Sequence, residues 1–201
     1  MEFLIACLDR CGNALPALRS IAVYLRTGIK FARVGVHPKV RGGARITTGN
    51  HVALGDCCWI EAVTRYGGRR YSPRLVLGSR VAISDFTHIS CVERIEIGDD
   101  CLLGSKVYIG DHSHGSVADL EQIRDVAPAQ RPLSDIAEII IGEKTWIGDG
   151  AVILAGTRIA RSSIVGANSV VRLKEERPAL IAGVPARVIR YLDDGSLHET
   201  R

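Results

Sequence analysis

Two histidines, His112 and His114, stand two residues apart in the segment GDHSHGS of this 201-residue chain, which has six histidines in all. A neutral imidazole accepts a hydroxyl proton near pH 7, so each is a candidate general base. Histidines also bind metals, and a polar loop position is the ordinary alternative. The choice among these depends on the elements that hold the pair.

Aliphatic residues stand at fourteen of sixteen positions that are spaced six apart in four runs of the chain. The positions are Val36, Gly42, Thr48, Leu54 and Ile60; Leu77, Ile83 and Ile89; Ile97, Leu103 and Ile109; and Ile141, Ile147, Ile153, Ile159 and Val165. Small or short-branched residues mostly stand two positions earlier, as Thr145 does before Ile147. Because residues two apart on a strand point to the same side, both columns predict inward-facing side chains.

Glycine often follows the aliphatic residue, and we expect it to turn the chain because it tolerates positive φ. One short strand and one turn in every six residues predict a three-sided coil, with three such units in each turn of a parallel β-helix. The core of such a prism is solid. An active site therefore needs a projecting loop or a neighbouring subunit.

The period divides the chain into three regions. Residues 1–34 predict a helical segment, interrupted near Gly12 and Pro16. Residues 35–172 form the β-helix domain, and residues 173–201 a C-terminal strand and tail.

Loops at 65–74 and 113–138 interrupt the period, and two extra residues enter near Arg94 and Ile95. His112 follows Ile109 by three residues, so we expect it at a corner of the prism beside the second loop. A long loop in a compact domain is usually functional or disordered, and we expect this one to shape a substrate pocket.

Composition limits the classes of function. The net charge is +4, and basic residues are spread along the chain, so we expect no nucleic-acid partner. The six cysteines include the adjacent Cys57 and Cys58 and form no zinc-type Cys-x2-Cys pair, which predicts free, buried thiols in a cytoplasmic protein. The apolar stretch FLIACL is too short to span a bilayer. Loose attachment to the inner membrane stays open.

Three segments, GDHSHGS, TWIGDGAVIL and GVPARVIR, resemble the hexapeptide-repeat, acetyl-CoA-dependent O-acetyltransferases. The resemblance covers residues 36–190. It is strongest to the enzymes that modify O-antigen and capsule polysaccharides, with galactoside, maltose and streptogramin acetyltransferases as wider relatives. It implies an all-β, left-handed parallel β-helix and a homotrimer with active sites between subunits. It also implies acetyl-CoA as co-substrate, a sugar-like acceptor and no metal.

The resemblance also implies roles for residues. One histidine deprotonates an acceptor hydroxyl, which attacks the thioester directly in a ternary complex; His112 matches it, and His114 stays an alternative. Asp85, in SDFTHI, matches a group that binds the acceptor or orients the base, and we expect it at a different corner from His112. The positions implied for the cofactor are Trp146, Gly148, Asp149, Ala167, Asn168, Arg172, Arg187 and Arg190.

The cofactor positions match those of the relatives except at one place. The backbone amide near Asp149 matches an oxyanion donor, and Arg187 and Arg190 match phosphate contacts. However, the chain reads SVVRLKEE, with Arg172 and Lys174 where relatives often have a Thr-Lys pair. The cofactor contacts therefore differ in detail from those of the relatives.

The sequence thus predicts transfer of acetyl to a sugar hydroxyl of a cell-surface polysaccharide or its precursor. N-acetyl transfer to an amino sugar is one alternative. Another is a metal hydrase of the γ-carbonic anhydrase kind, with His88, His112 and His114 as ligands. A third is a non-catalytic scaffold built on the same coils.

Overall fold

Three parallel sheets form the body of the chain, as a computed structural model shows. The structure describes residues 2–116, 118 and 120–192, with side chains from residue 14 onwards except those of 120 and 122. Each coil of the chain contributes one short strand to each sheet, so that the strands of a sheet come from successive coils. The predicted parallel β-helix is confirmed.

The first sheet contains β1 (Arg33–Val34), β4 (Ala53–Leu54), β9 (Ala82–Ile83), β12 (Leu102–Leu103), β17 (Trp146–Ile147), β20 (Ile164–Val165), β23 (Ala179–Gly183) and β24 (Ala186–Tyr191). The second sheet contains β2 (Lys39–Arg41), β5 (Trp59–Ala62), β10 (His88–Cys91), β13 (Tyr108–Gly110), β18 (Val152–Leu154) and β21 (Val170–Val171). The third sheet contains β3 (Ile46–Thr48), β8 (Arg74–Leu77), β11 (Arg94–Ile97), β16 (Ile139–Ile141), β19 (Arg158–Ile159) and β22 (Lys174–Glu175).

Aliphatic side chains stack inside the prism from one coil to the next. In the second sheet Ile60 pairs with Ile89, Ile89 with Ile109 and Ile109 with Ile153, and all four are fully buried. Small residues of the second predicted column, such as Thr145 and Ser169, are buried as well. The period therefore predicts the core correctly from residue 48 onwards.

The first two predicted positions, Val36 and Gly42, are wrong. Val34 pairs with Leu54 and Val40 with Ile60, whereas Val36 is 38% exposed. Two extra residues enter after β2, where a 3₁₀ turn spans Gly43–Arg45. Because of these two residues, the inward-facing positions of the first coil are Val34 and Val40, two residues earlier than predicted.

The predicted reason for the turn glycines is also wrong. Gly55 and Gly104 do not have positive φ; the left-handed residues come two positions later, at Cys57 and Lys106. A Cβ on Gly104 would lie 2.7 Å from the backbone nitrogen of Asp149 in the next coil. Glycine stands at these positions because the coils approach closely there.

Every insertion falls at one corner of the prism, where the chain passes from the second sheet to the third. We call it the insertion corner; it comprises residues 42–45, 63–73, 92–93 and 111–138, in the first four coils. The other two corners keep the regular six-residue spacing. Side chains and loops from four successive coils therefore stack on the same side of the molecule.

The two long insertions are structured and touch each other. Residues 63–73 form a hairpin of β6 (Arg65–Tyr66) and β7 (Arg69–Arg70). Residues 111–138 are closed at their base by β14 (Ser113–His114) paired with β15 (Leu133–Ser134), and carry α2 (Leu120–Ile123) and a 3₁₀ turn (Pro128–Gln130). The Tyr66 hydroxyl donates to the Ala129 carbonyl at 2.7 Å, which joins the hairpin to the longer loop.

The N-terminal helix α1 runs without a break over Glu2–Thr27, so the predicted interruption near Gly12 and Pro16 is wrong. It packs against the first coil through Val23. Paired strands begin at Arg33 and continue to the antiparallel pair β23 and β24, and so extend on both sides of the predicted range 35–172. Within the described part of the chain, no helix is long and apolar enough to cross a membrane.

The cysteines whose side chains are described are free thiols, as predicted. Burial raises the pKa of Cys58 and of Cys101 to about 11, and raises that of Cys91 as well. These thiols are therefore protonated and unreactive at neutral pH. Cys7 and Cys11 lie outside the described side chains.

Candidate active site

His112 stands at the insertion corner, directly after β13, and is hydrogen-bonded to the residue before it. Its Nδ1 lies 2.9 Å from Oδ1 of Asp111. The Asp111 side chain is fully buried, and that of His112 is 7% exposed. Although His112 stands at a corner of the prism, its imidazole therefore lines a recess of the protein and does not extend freely into solvent.

Asp111 is held by the backbone of the preceding coil. Its carboxylate accepts hydrogen bonds from the amides of Val92, Glu93 and Arg94 at 2.8–3.1 Å. The two residues inserted between β10 and β11 place these three amides around the carboxylate. The small irregularity near Arg94 in the sequence therefore builds the support of the histidine.

This arrangement fixes the chemistry of the imidazole. The amides supply only donors, so the Asp111 carboxylate acts as an ionised acceptor. His112 Nδ1 must then donate its proton to Asp111, which leaves the lone pair on Nε2. An imidazole held in this tautomer by a buried carboxylate is suited to accept a proton from a hydroxyl.

A pocket of about 400 Å³ opens beside His112. Its floor is the outer side of the second sheet, where Trp59, His88 and Tyr108 stand in one register column. The two insertions wall it through Tyr66 and Leu133. Its size is in the range of small-molecule sites in proteins.

Two polar atoms without partners lie buried beneath the floor of the pocket. Trp59 stacks on His88 with ring centroids 4.3 Å apart. The Lys39 ammonium lies over the Trp59 ring, 3.1 Å from its centroid. Trp59 Nε1 and His88 Nε2 are buried and have no hydrogen-bond partner in the described structure. Such atoms are costly to bury unless a ligand or water completes them.

His114 lies close to His112 but lacks its support. The two ring centroids are 6.2 Å apart, and His114 packs edge-on against Tyr66 at 5.1 Å. Burial, followed by the nearby His112, lowers the pKa of His114. Since Asp111 contacts His112, the geometry favours His112 as the base and places His114 at the pocket wall.

Asp85 is not brought to the histidines within one chain. It lies at the regular corner between the first and second sheets, and its Oδ1 accepts a hydrogen bond from the Asp56 amide at 2.7 Å. Asp56 does the same for Val36 in the coil before it, at 2.8 Å. In this chain the visible role of Asp85 is to join successive coils.

The residues implied for the cofactor lie on the late coils, away from the described pocket. Trp146 faces outward from the first sheet and is 51% exposed. Gly148 is buried, whereas Asp149 is exposed and accepts the Ser105 amide at 2.7 Å. The others are exposed: Ala167, Asn168, Arg172, Arg187 and Arg190.

The metal alternative finds no support in this geometry. His88 stacks between Trp59 and Tyr108. Over the described ranges, no three His, Cys, Asp or Glu side chains are grouped closely enough to hold an ion. Within one chain, His88, His112 and His114 are therefore not brought together as metal ligands.

Several site residues were missed at the sequence level. Asp111 had a local signal, because an acidic residue adjoins the candidate base in GDHSHGS. Trp59 and Tyr66 had none, since they come from coils about 50 residues earlier, and only the stacking of the coils brings them to His112.

The six-residue period and the three parallel sheets define the class of hexapeptide-repeat β-helix proteins. Residues 138–172 match the family Bacterial transferase hexapeptide (six repeats), and residues 94–110 match Hexapeptide repeat of succinyl-transferase. These matches confirm the resemblance to hexapeptide-repeat transferases seen in the sequence.

Individual relatives of this chain carry the names of O-acetyltransferases. WbbJ of Escherichia coli K12, which carries the name of a lipopolysaccharide biosynthesis O-acetyl transferase, is 38% identical over 129 residues, or 63% of each chain. Galactoside O-acetyltransferase of the same organism is 42% identical over 60 residues, or 30% of each chain. The matches thus span less than two thirds of the length of these relatives.

A solved structure supports the fold. AntD, an N-acyltransferase from Bacillus cereus in complex with dTDP and 3-hydroxybutyryl-CoA, gives a TM-score of 0.65 at 19% identity. The superposition covers 81% of this chain and 82% of that one. At this identity the likeness concerns the fold alone.

The Asp111–His112 pair can be tested by the tautomer of His112. In the wild type we expect nitrogen NMR to show a protonated Nδ1 and an unprotonated Nε2. Asp111→Asn removes the anionic acceptor and should abolish that preference. Asp99→Asn is the matched control, since Asp99 also accepts an amide of an earlier coil, that of Ser79, but contacts no histidine. A wild-type His112 protonated on Nε2 would contradict the assignment.

A second test uses the pKa of His88, which burial lowers. A buried neutral histidine takes up its proton more readily when unfolded, so stability is complete above the unfolded pKa of about 6.5 and falls as pH decreases below it. We expect the free energy of unfolding to decrease on acidification, and less so in His88→Gln. Urea unfolding at several pH values measures this; equal losses in both proteins would contradict it.

Proposed function

We propose that this protein is an O-acetyltransferase that moves acetyl from acetyl-CoA to a hydroxyl of a sugar-like acceptor. The observation that carries the proposal is the buried Asp111 carboxylate, which holds His112 with Nε2 available beside a pocket. Two segments of the chain match hexapeptide-repeat transferase families, and the relative WbbJ carries the name of an O-acetyl transferase. We further infer a left-handed coil and a homotrimer.

In the proposed reaction, His112 Nε2 accepts the proton of the acceptor hydroxyl. The hydroxyl oxygen attacks the thioester carbonyl carbon, so that a C–O bond forms and the C–S bond breaks. The proton then passes from Nε2 to the departing CoA sulfur, and His112 returns to its neutral state. Asp111 stabilises the transient imidazolium, because it is ionised and buried beside Nδ1.

The pocket suits an acceptor with several hydroxyl groups. Arg41 and Glu61 stand on the same wall and lie 3.9 Å apart. A ligand that both donates and accepts hydrogen bonds satisfies this set, as the hydroxyls of a sugar do. A cell-surface polysaccharide unit or its precursor is the proposed source.

Acetyl-CoA is proposed to bind along the late coils. Trp146 offers an exposed ring, and the corner at Gly148 and Asp149 offers backbone groups, with an amide near Asp149 as oxyanion donor. Arg172, Arg187 and Arg190 are exposed cations suited to phosphates. Because these residues lie apart from His112 in one chain, the proposed site combines one subunit's histidine with a neighbour's late coils.

N-acetyl transfer to an amino sugar is the second candidate. AntD, whose fold this chain shares, is an N-acyltransferase solved with dTDP. A neutral amine needs less help from a base than a hydroxyl does, because the amine is already nucleophilic. The buried Asp111–His112 pair therefore favours a hydroxyl.

We expect His112→Asn to lower kcat for acetyl transfer by at least about 100-fold, because the general base is lost. The measurement is CoA thiol release with a panel of sugars and nucleotide sugars, each as a hydroxyl and an amino form. His51→Asn is the matched control: His51 is exposed with a φ of 59°, a conformation that asparagine adopts readily.

The outcome decides between the candidates. Release that requires the hydroxyl form and depends on His112 supports O-acetyl transfer. Release that requires the amino form would assign N-acetyl transfer instead. If His112→Asn and His51→Asn both keep wild-type activity, the proposed role of His112 is wrong.

A further inference from the structure

Helix α1 exposes an apolar face on the side turned away from the coils. Leu15, Leu18, Ile21 and Leu25 are between 55% and 78% exposed. Their spacing places them on one stripe of the helix, which we call the outer face. Pro16, Ser20 and Val23 are buried on the opposite side. The helix therefore has one apolar stripe covered by the first coil and a second one uncovered.

The outer face lies within a segment of one charge. Residues 10–55 hold eight of the 26 basic residues and none of the 22 acidic ones, so this segment is +8 while the rest of the chain is −4. The basic residues of this segment are widely spaced, and only the absence of acidic residues reveals the charge asymmetry.

Basic side chains flank the outer face on both sides. Exposed Arg26 lies in the row beside it on the helix, whereas Arg19, seven residues earlier in that row, donates its Nε–H to the Val34 carbonyl at 2.9 Å. Across the stripe, exposed Lys30 lines a common groove with Ile21 and Tyr24. An apolar stripe bordered by cations is typical of helices that lie in the plane of an anionic membrane surface.

We infer that the outer face of α1 attaches the protein to an anionic lipid surface. The aliphatic side chains enter the boundary between headgroups and acyl chains, and Arg26 and Lys30 contact the phosphates. Charge favours lipid over a second copy of this chain, because two +8 segments repel one another. The uncovered aliphatic side chains favour lipid over nucleic acid, which would leave them exposed. The inference is independent of the proposed enzyme activity.

Vesicle flotation of the full chain tests this inference. We expect flotation with vesicles of phosphatidylcholine and phosphatidylglycerol, none with phosphatidylcholine alone, and weakening by salt. Leu18→Ser/Leu25→Ser should reduce the partition coefficient at least about tenfold. Arg26→Glu/Lys30→Glu should reduce it at least about 25-fold, since each basic residue near an anionic surface contributes about fivefold.

Matched controls are Ile189→Ser, which removes a 60% exposed aliphatic side chain on β24, and Arg124→Glu, which reverses an exposed charge in the long loop. Both should float like the wild type. The inference is overturned if the wild type does not float with anionic vesicles at low salt, or if both double variants float unchanged. It is also overturned if, without lipid, Leu18→Ser/Leu25→Ser dissociates the protein into smaller species in sedimentation, because the outer face would then bind another copy.

Discussion

The pairing of each strand with the same strand of the next coil constrains everything else in this molecule. Ile60, Ile89, Ile109 and Ile153 stack in one column because the strands of the second sheet are in register. A residue added inside a strand would turn the inward side chains outward. Extra residues are therefore accommodated at corners, and in this chain they all enter at the corner between the second and third sheets.

The insertions stack at one corner of the prism and so form a pocket on a surface that otherwise has none of its own. One insertion supplies two of the three amides that bind Asp111, a second supplies Tyr66, and the longest begins with the Asp111–His112 pair itself. A buried carboxylate is costly unless hydrogen bonds compensate for its lost hydration. Here three amides and an imidazole do so, which keeps the charge beside His112 where an imidazolium would need it.

The sequence predicts the repeating part of this structure well, because the six-residue period is a local pattern with one physical cause. It fails where the cause is not local. Val36 fits the six-residue period in the sequence, but two residues inserted at Gly42 and Gly43 move the register. Pro16 is tolerated within α1, where the helix packs on the first coil.

The candidate site was predictable only where its signal is local in the sequence. His112 stands out because it ends the regular period, and Asp111 adjoins it in the sequence. The column of Trp59 and His88 appears only when coils of unequal length are aligned by their pairing. Asp85 matched a motif, yet in the fold it accepts the Asp56 amide at a regular corner, as Asp56 itself does for Val36.

The most direct test of this account is the structure of the assembled protein with CoA and an acceptor bound. We expect the CoA sulfur within about 6–7 Å of His112 Nε2, with an acceptor hydroxyl between them, because each reacting contact spans about 3 Å. We also expect the acceptor to lie over Trp59 and His88. A CoA sulfur at another corner of the prism, or a metal ion bound to Nε2, would contradict the central claim that the insertion corner is the catalytic site.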